Sequence, residues 1–243
     1  ELGNGMSIAG NLSLNTSSSV TNNDGSKIVL SGHFGKLGLG DNAGAIDGVD
    51  EIVSGRSVNA KSNDDAQLGG GDAGVRWDLP AIMDGLSVAL TANAKNDNPG
   101  NAADDGGGAS VKYAFGPVAV AYAQEDIGST EISGYSGSAT FGGLMVGAES
   151  WTSTTAAVDT DLNILAGSYT MGDIKIAYSA AQTESAAVDL SDVRTIILNY
   201  TMGPGVTLFV ESADEKVAVT TGAESTPVTN KKNVTAVGIE YKF

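Results

Sequence analysis

The sequence has no cysteine, a single histidine, few basic residues and no long apolar run. The lack of cysteine excludes disulfides and thiolate metal sites and is compatible with an exported protein. The 13 Lys and Arg are outnumbered by 29 Asp and Glu, and the net charge of −16 argues against a nucleic-acid partner, because phosphate binding needs clustered bases. No segment approaches the roughly 18 consecutive apolar residues of a helix that spans a membrane.

Residues suited to catalysis are also scarce. The only histidine, His33, follows Lys27 and Ser31 on one polar strand face, so we interpret it as a water-facing side chain and not as the base of a nucleophilic serine. The glycine clusters at 69–71 and 106–108 lack the Lys-Ser or Lys-Thr pair that completes a phosphate loop. We therefore expect no enzyme, no catalytic residue and no cofactor.

Neighbouring acids at 64–65 and 104–105 raise the question of metal binding. They lack the spacing of a calcium-binding hand, so solvated loops are the favoured interpretation and weak binding of divalent ions is the alternative. No metal ligand is assigned from the sequence.

The sequence is rich in glycine, and its apolar and polar residues alternate with a period of two. It contains 33 Gly, and apolar residues alternate with polar ones; Leu86, Val88 and Leu90, for example, alternate with Ser87 and Thr91. Strands of about 8 to 12 residues can cross a bilayer at a tilt. The pattern predicts an all-β chain of about 14 strands, at 6–15, 26–34, 36–40, 72–79, 85–95, 108–115, 117–124, 131–141, 144–153, 161–171, 174–183, 192–202, 205–213 and 232–243.

The connections between these strands are predicted to alternate between short and long. In the short ones a large apolar residue precedes a glycine, as at Phe115-Gly116 and Met171-Gly172, and glycine supplies the positive φ of a tight reversal. Short turns at one end and long loops at the other are typical of an outer-membrane barrel, whereas a soluble sandwich gives no reason for the asymmetry. The predicted long loops span 16–25, 41–71, 96–107, 125–130, 154–160, 184–191 and 214–231.

The alternation also predicts which side chains face lipid and which face water. Those expected to face lipid are Ile8, Leu12, Val88, Leu90, Val118, Val120, Ile174, Ile176 and Ile239. Those expected to face water are Ser7, Asn11, Ser87, Thr91, Lys175 and Glu240. The large residues before the short turns, together with Tyr122 and Trp151 near the opposite rim, are expected to form girdles at the membrane interfaces.

Several segments of the sequence are similar to those of a known family. The stretch GHFGKLGLGDN at 32–42 and the opening LGNGM at 2–6 resemble the general porins of the bacterial outer membrane, especially those of alphaproteobacteria. The last strand resembles the C-terminal signature that the barrel-assembly machinery reads in outer-membrane proteins. Its alternating residues are Val237, Ile239, Tyr241 and Phe243.

This resemblance implies a transmembrane antiparallel β-barrel, usually of 16 strands and trimeric, whose third long loop folds into the lumen as a constriction. We therefore expect 1–243 to form a single barrel domain with 41–71 as the constriction loop. The LGNG turn, which is internal in these porins, lies at 2–5 here. Two interpretations stay open: two N-terminal strands are missing from this chain, or the chain is a smaller relative with 14 strands.

The 41–71 segment carries six acids against two bases, and it has an apolar patch that a loop surrounded by water does not need. We expect 43–54 to lie inside the lumen, where its acids oppose a basic wall. In the porins such opposed charges form a transverse field that screens polar solutes. The acids expected at the constriction are Asp47, Asp50 and Glu51, and the inward-facing bases are Lys27, Arg76, Lys112 and Lys175.

The predicted function is passive diffusion of small hydrophilic solutes and ions through a water-filled pore in the cell outer membrane. Because most acids lie toward the long loops, we expect a weak preference for cations. The expected partners are outer-membrane lipid and, by the resemblance, two further copies in a homotrimer. Two alternatives stay open: a barrel whose surface loops act as an adhesin or phage receptor, and a soluble secreted β protein.

Overall fold

The structure is a computed structural model that describes residues 4–12, 26–47, 73–93, 106–185, 188–219 and 228–241. These residues contain no helix that is long and apolar enough to cross a membrane. The predicted all-β class is confirmed, and each of the fourteen predicted strands is present. They are β1 (Ser7–Asn11), β2 (Lys27–Gly32), β3 (Gly35–Asn42), β4 (Ala73–Asp78), β5 (Leu86–Asn93), β6 (Gly106–Phe115), β7 (Val118–Ile127), β8 (Thr130–Phe141), β9 (Leu144–Thr155), β10 (Val158–Met171), β11 (Ile174–Ser185), β12 (Val188–Gly203), β13 (Val206–Val219) and β14 (Val228–Tyr241).

The fourteen strands form one antiparallel sheet in which each strand pairs with the next along the chain. In the part of the chain that is described, β1 pairs with β2 and β14 pairs with β13, so these two strands stand at the ends of the order. Successive side chains of every strand point to opposite faces of the sheet. One face, here called the outer face, carries large exposed apolar side chains, and the inner face carries the buried ones.

The outer face matches the side chains that were predicted to face lipid. Ile8, Leu90, Val120, Ile176 and Ile239 are between 40% and 68% exposed, although each is a large apolar residue. Such a continuous apolar surface has no place on a soluble domain, whereas the bilayer covers it in a membrane barrel. The exposed residues before the short turns are Phe115, Phe141, Met171 and Met202.

The apolar surface has a border at the end away from the short turns, and the position of this border shifts from one strand to the next. At three places an apolar or aromatic outward residue is paired with a polar residue on the next strand, always in the same direction along the sheet. Tilted strands produce such steps where a level membrane border crosses them. The three pairs are Tyr135 with Ser150, Ala180 with Arg194, and Ile196 with Ser212.

The short turns depend on glycine at particular positions. Gly116 and Gly142 have φ values of 55° and 58°, and a Cβ added to either would meet nothing within 4 Å. Glycine is therefore not required there by lack of space. It is required by the left-handed backbone, which a Cβ would strain.

Three of the predicted long loops are wrong. The predicted loops 125–130 and 154–160 are tight turns at Gly128–Ser129 and Ala156–Ala157, and β11 and β12 are separated by only two residues, 186–187. Polar strand residues continue beyond the apolar surface and bond across the hairpin, as Thr152 does to Asp161 at 2.7 Å. The polar composition of these strand ends led to their prediction as loops, although the backbone pairing of the strands continues through them.

The inner face is more apolar than a water-filled lumen requires. A buried cluster includes Ile132, Trp151 and Leu162 on β8, β9 and β10, and Trp151 is only 3% exposed. The predicted place of Trp151 in an outer aromatic girdle is wrong, because its strand position points inward. Tyr122, the other residue predicted there, lies on the outer face and is 46% exposed.

Candidate functional site

The chain leaves β3 and turns across the inner face, and we call residues 43–47 the crossing segment. At its start, Asn42 is 5% exposed and donates a hydrogen bond from Nδ2 to the carbonyl of Ala73 on β4, at 3.3 Å. The register between β3 and β4 shifts at this point. The Asn42 side chain thus replaces part of the interrupted backbone pairing and fixes where the segment departs from the sheet.

Arg76 on β4 holds the beginning of the crossing segment. Its Nη1 donates to the carbonyl oxygens of Ala43 at 3.0 Å and Gly44 at 2.8 Å. Its Nε donates to Oδ1 of Asp78, two residues along the same strand, at 2.9 Å. The guanidinium is thus bound on two edges, and its planar fork fits this arrangement better than an ammonium would.

The middle of the crossing segment is packed against the inner face. Ala45 and Ile46 are 0% and 3% exposed. A Cβ placed on Gly108 of β6 would lie 2.8 Å from the Cβ of Ala45, so the segment approaches that strand closely. Ile46 belongs to the buried cluster, and burying one such side chain stabilises a fold by about 1.5–3 kcal/mol. Its partners on β7 to β11 are Ala121, Ala123, Ile132, Trp151, Leu162 and Ala181.

Asp47, one of the predicted constriction acids, is the last described residue of the crossing segment. Its Oδ2 accepts a hydrogen bond from the backbone N–H of Gly44 at 3.2 Å, and the side chain is partly exposed. Asp50 and Glu51 lie outside the described residues. Of the three predicted constriction acids, the structure therefore describes Asp47 alone.

Two of the predicted basic residues line one cavity of about 530 Å³ near the short-turn end of β2 to β6. Arg76 and Lys112 are both in its lining, together with Asp78. Lys36 also lines it, and it was not singled out because it is the first residue of the predicted strand 36–40, next to a turn; β3 begins at Gly35, and Lys36 is an inward strand residue opposite Asp78. Strand alternation counted from Gly35 would have found it.

The other two predicted bases lie apart from this cavity. Lys27 is exposed on the inner face of β2, opposite Gly40. Lys175 lines a separate cavity of about 300 Å³ with Asp173 and Glu240, between β10 and β14. The structure therefore brings Arg76 and Lys112 together and does not add Lys27 or Lys175 to them.

The inner face also carries three buried glutamates that sequence reasoning did not single out. Glu125, Glu149 and Glu211 are at most 5% exposed. Burying a carboxylate is costly unless hydrogen bonds satisfy it, and Oε2 of Glu149 accepts one from Nε1 of Trp151 at 3.0 Å. For Glu149 and Glu211 the available signal was strand alternation, which places both on the inward side of the predicted strands 144–153 and 205–213.

The outer face beyond the apolar surface is acidic on β7 to β13. Two bases lie there among the described side chains, Arg194 and Lys216, and both contact Asp192, at 3.2 and 3.0 Å. The acids of this border are Asp126, Glu131, Asp159, Asp161, Glu184, Asp192 and Asp214. The described residues contain no group of three or more acids, histidines or cysteines that could hold a metal ion.

The sequence matches a known protein family over its length. The family model described as Gram-negative porin matches residues 1–243. No curated protein sequence matches the chain.

Solved structures of outer-membrane proteins are similar to this one. OmpT of Vibrio cholerae has a TM-score of 0.65 at 16% identity, and the match covers 89% of this chain and 79% of that one. An anion-selective porin from Comamonas acidovorans has a TM-score of 0.64 at 19% identity, covering 90% and 77%. OmpF of Salmonella typhi has a TM-score of 0.65 at 15% identity, also covering 90% and 77%. These likenesses confirm the predicted fold, an antiparallel outer-membrane β-barrel.

Proposed function

Because the chain belongs to the Gram-negative porin family, a family of outer-membrane channels, we propose that it is a channel for passive diffusion of small hydrophilic solutes and ions, and not an enzyme. The observation that carries the proposal is the burial of the crossing segment against the inner face, and we place the narrowing of the lumen there. Size and charge at that place then select solutes, and no bond is made or broken.

The proposed selectivity is a weak preference for cations. The net charge is −16, and seven acids against two bases lie beyond the apolar surface on β7 to β13, at the end of the strands away from Gly116 and Gly142, among the described outward side chains. Such an excess concentrates cations at the mouth and repels anions. The fold does not decide the sign, since one of the similar structures is named an anion-selective porin.

The constriction acids provide the test of this proposal. Neutralising Asp47, Asp50 and Glu51 to the amides should reduce cation preference, because we place these carboxylates where ions pass. The matched control neutralises Asp104 and Asp105, which belong to a predicted outer loop. The readout is the zero-current potential across a planar bilayer with a salt gradient. Equal shifts for the two variants, or anion preference of the unchanged protein at low salt, would rule out the assignment.

We also propose a homotrimer. One of the similar OmpT structures of Vibrio cholerae is named as a trimer form, and the resemblance of 2–6 and 32–42 to alphaproteobacterial porins supports the same assembly. The two further strands of a 16-stranded barrel stay a prediction. Native mass measurement in mild detergent tests the assembly, and a monomeric mass would contradict it.

A further inference from the structure

The role of Arg76 differs from that of a charge lining a pore. We propose that Arg76 and the buried pair Ala45–Ile46 form a latch that holds the crossing segment against the inner face, so that Arg76 sets pore size as a positioning residue. This inference rests on the proposed channel function. Under this proposal, Arg76 affects the width of the lumen. A base that only lined the wall would affect ion selectivity instead.

The hydrogen bonds of Arg76 support this role. Two of its three hydrogen bonds to described residues go to backbone carbonyls of the crossing segment, at 3.0 and 2.8 Å, and the third goes to Asp78 on its own strand. The side chain is only 19% exposed. The ion pair with Asp78 and the low exposure weaken the field that this guanidinium presents to a passing solute, in contrast to Lys112, which is exposed on the same wall.

The second part of the latch is the packing of Ile46 in the buried cluster. Ile46 is buried in a cluster whose other members come from β7 to β11, whereas Arg76 stands on β4. The segment is thus fastened at one end by hydrogen bonds and in its middle by packing. Because the two attachments are to different strands but hold one short segment, releasing either should loosen the same five residues.

Trp151 provides a direct reporter of the latch. The chain has two tryptophans, Trp77 and Trp151, so a Trp77→Phe variant emits from Trp151 alone. Trp151 is 3% exposed and shares the buried cluster with Ile46. Release of the crossing segment admits water to the cluster and moves the emission of Trp151 to longer wavelength, although Arg76 itself lies five strands away on β4.

The experiment compares three variants in the Trp77→Phe background. Arg76→Lys keeps the charge and loses the planar fork; Ile46→Ala keeps every charge and loses the buried side chain; Lys112→Gln removes a neighbouring charge and leaves the latch intact. We expect Arg76→Lys and Ile46→Ala each to raise single-channel conductance by about 1.5-fold or more, because the lumen widens. Both should shift Trp151 emission, while Lys112→Gln should change ion selectivity and leave emission unchanged.

Arg76→Lys is the decisive variant. If its conductance and Trp151 emission equal those of the parent, and Arg76→Gln changes selectivity only as Lys112→Gln does, then Arg76 is a wall charge and the latch is refuted. The combination of Arg76→Lys with Ile46→Ala should raise conductance no further than the larger single effect, since both release one segment. Trp151 emission needs no conducting channel, so a protein that failed to conduct would contradict the proposed function and leave the latch measurable.

Discussion

Trp151 shows how one inward side chain changes the character of the inner face. On sequence grounds an aromatic residue near a predicted rim belongs in an interfacial girdle, yet Trp151 is buried beside Glu149 and within the cluster that contains Ile46. An apolar inner wall is possible here because the crossing segment covers it and keeps water away. The side of the strand on which a residue lies, and not its distance from the rim, decides its surroundings.

Lipid quenching tests the inward position of Trp151. In a Trp77→Phe variant, acyl chains brominated along their length should leave Trp151 emission almost unchanged, because the side chain does not reach lipid. The matched control moves the single tryptophan to the outer face, as Tyr135→Trp with both native tryptophans changed to Phe; Tyr135 is 63% exposed. This variant should be strongly quenched. Equal quenching of the two proteins would place Trp151 on the lipid face.

The turn between β9 and β10 contains a second effect at the residue scale. Ala156 and Ala157 have φ values of 51° and 62°, which are strained for residues with a Cβ, by about 1–2 kcal/mol each. The double change Ala156→Asn and Ala157→Gly gives the sequence that such turns prefer. We expect it to raise the free energy of unfolding by about 1 kcal/mol, because the gain is partly offset by the greater freedom of glycine when unfolded.

The midpoint of urea unfolding in lipid vesicles measures this gain. Gly116→Ala is the opposite change at a turn with φ of 55° and free space for a Cβ, so it should lower the same midpoint. A stabilising Gly116→Ala, or an unchanged double variant, would show that these backbone conformations carry no strain.

At the scale of elements, hydrophobic alternation was sufficient to locate every strand. It was not sufficient to predict the residues at which the strands end. The period of two in Leu86–Asn93 is unambiguous because lipid and interior impose it on opposite faces. Beyond the membrane that constraint is lost, and Thr154 and Asp159 are both polar although they bond across a hairpin at 2.8 Å. Strand pairing there depends on partners in another strand, which local composition does not reveal.

The same limit applies to the candidate site. The inward direction of Arg76 and Lys112 followed from alternation, and the apolar patch after β3 predicted that this segment would leave the solvent. The contacts of Arg76 with Ala43 and Gly44 could not be predicted, because they depend on how the segment crosses the sheet. Burial of Ile46 beneath Trp151 and Leu162 depends likewise on strands more than seventy residues away.

The apolar surface of β12 yields a prediction at the element scale. Leu198 lies in the middle of the outward apolar residues of this strand and is 42% exposed. Leu198→Arg should lower the free energy of unfolding in vesicles by about 2–4 kcal/mol, the cost of a base at the bilayer midplane. Gln182 on β11 lies on the same face beyond the apolar border, so Gln182→Arg should cost about 0–1 kcal/mol. Equal costs would contradict the position of the border.

At the scale of the whole molecule, charge is distributed unevenly over an architecture shared with similar barrels. The outward acids of β7 to β13 gather at the end of the strands away from Gly116 and Gly142, while Lys36, Arg76 and Lys112 line one cavity at the other end of β2 to β6. In the proposed channel, a cation entering from the acidic end is therefore attracted first and meets a basic wall later. Salt at about 0.15 M screens exposed charges beyond roughly 8 Å, so the attraction is short-ranged.

This distribution predicts a cation preference that depends on salt. The ratio of cation to anion permeability, obtained from zero-current potentials, should exceed one in dilute salt and approach the ratio of the free ions as salt is raised. The physical reason is that screening removes the field of the exposed acids and leaves the lumen to act by size alone. A ratio independent of salt would indicate that buried charges set the selectivity.

Conductance of the purified protein in a planar bilayer tests the central claim most directly. A water-filled lumen predicts stepwise current increments of uniform size that grow in proportion to voltage and to the conductivity of the bath. Heat-unfolded protein added in the same detergent should give none. Insertion into the bilayer without such increments, or increments that appear equally with the unfolded protein, would contradict the account of this chain as a diffusion channel.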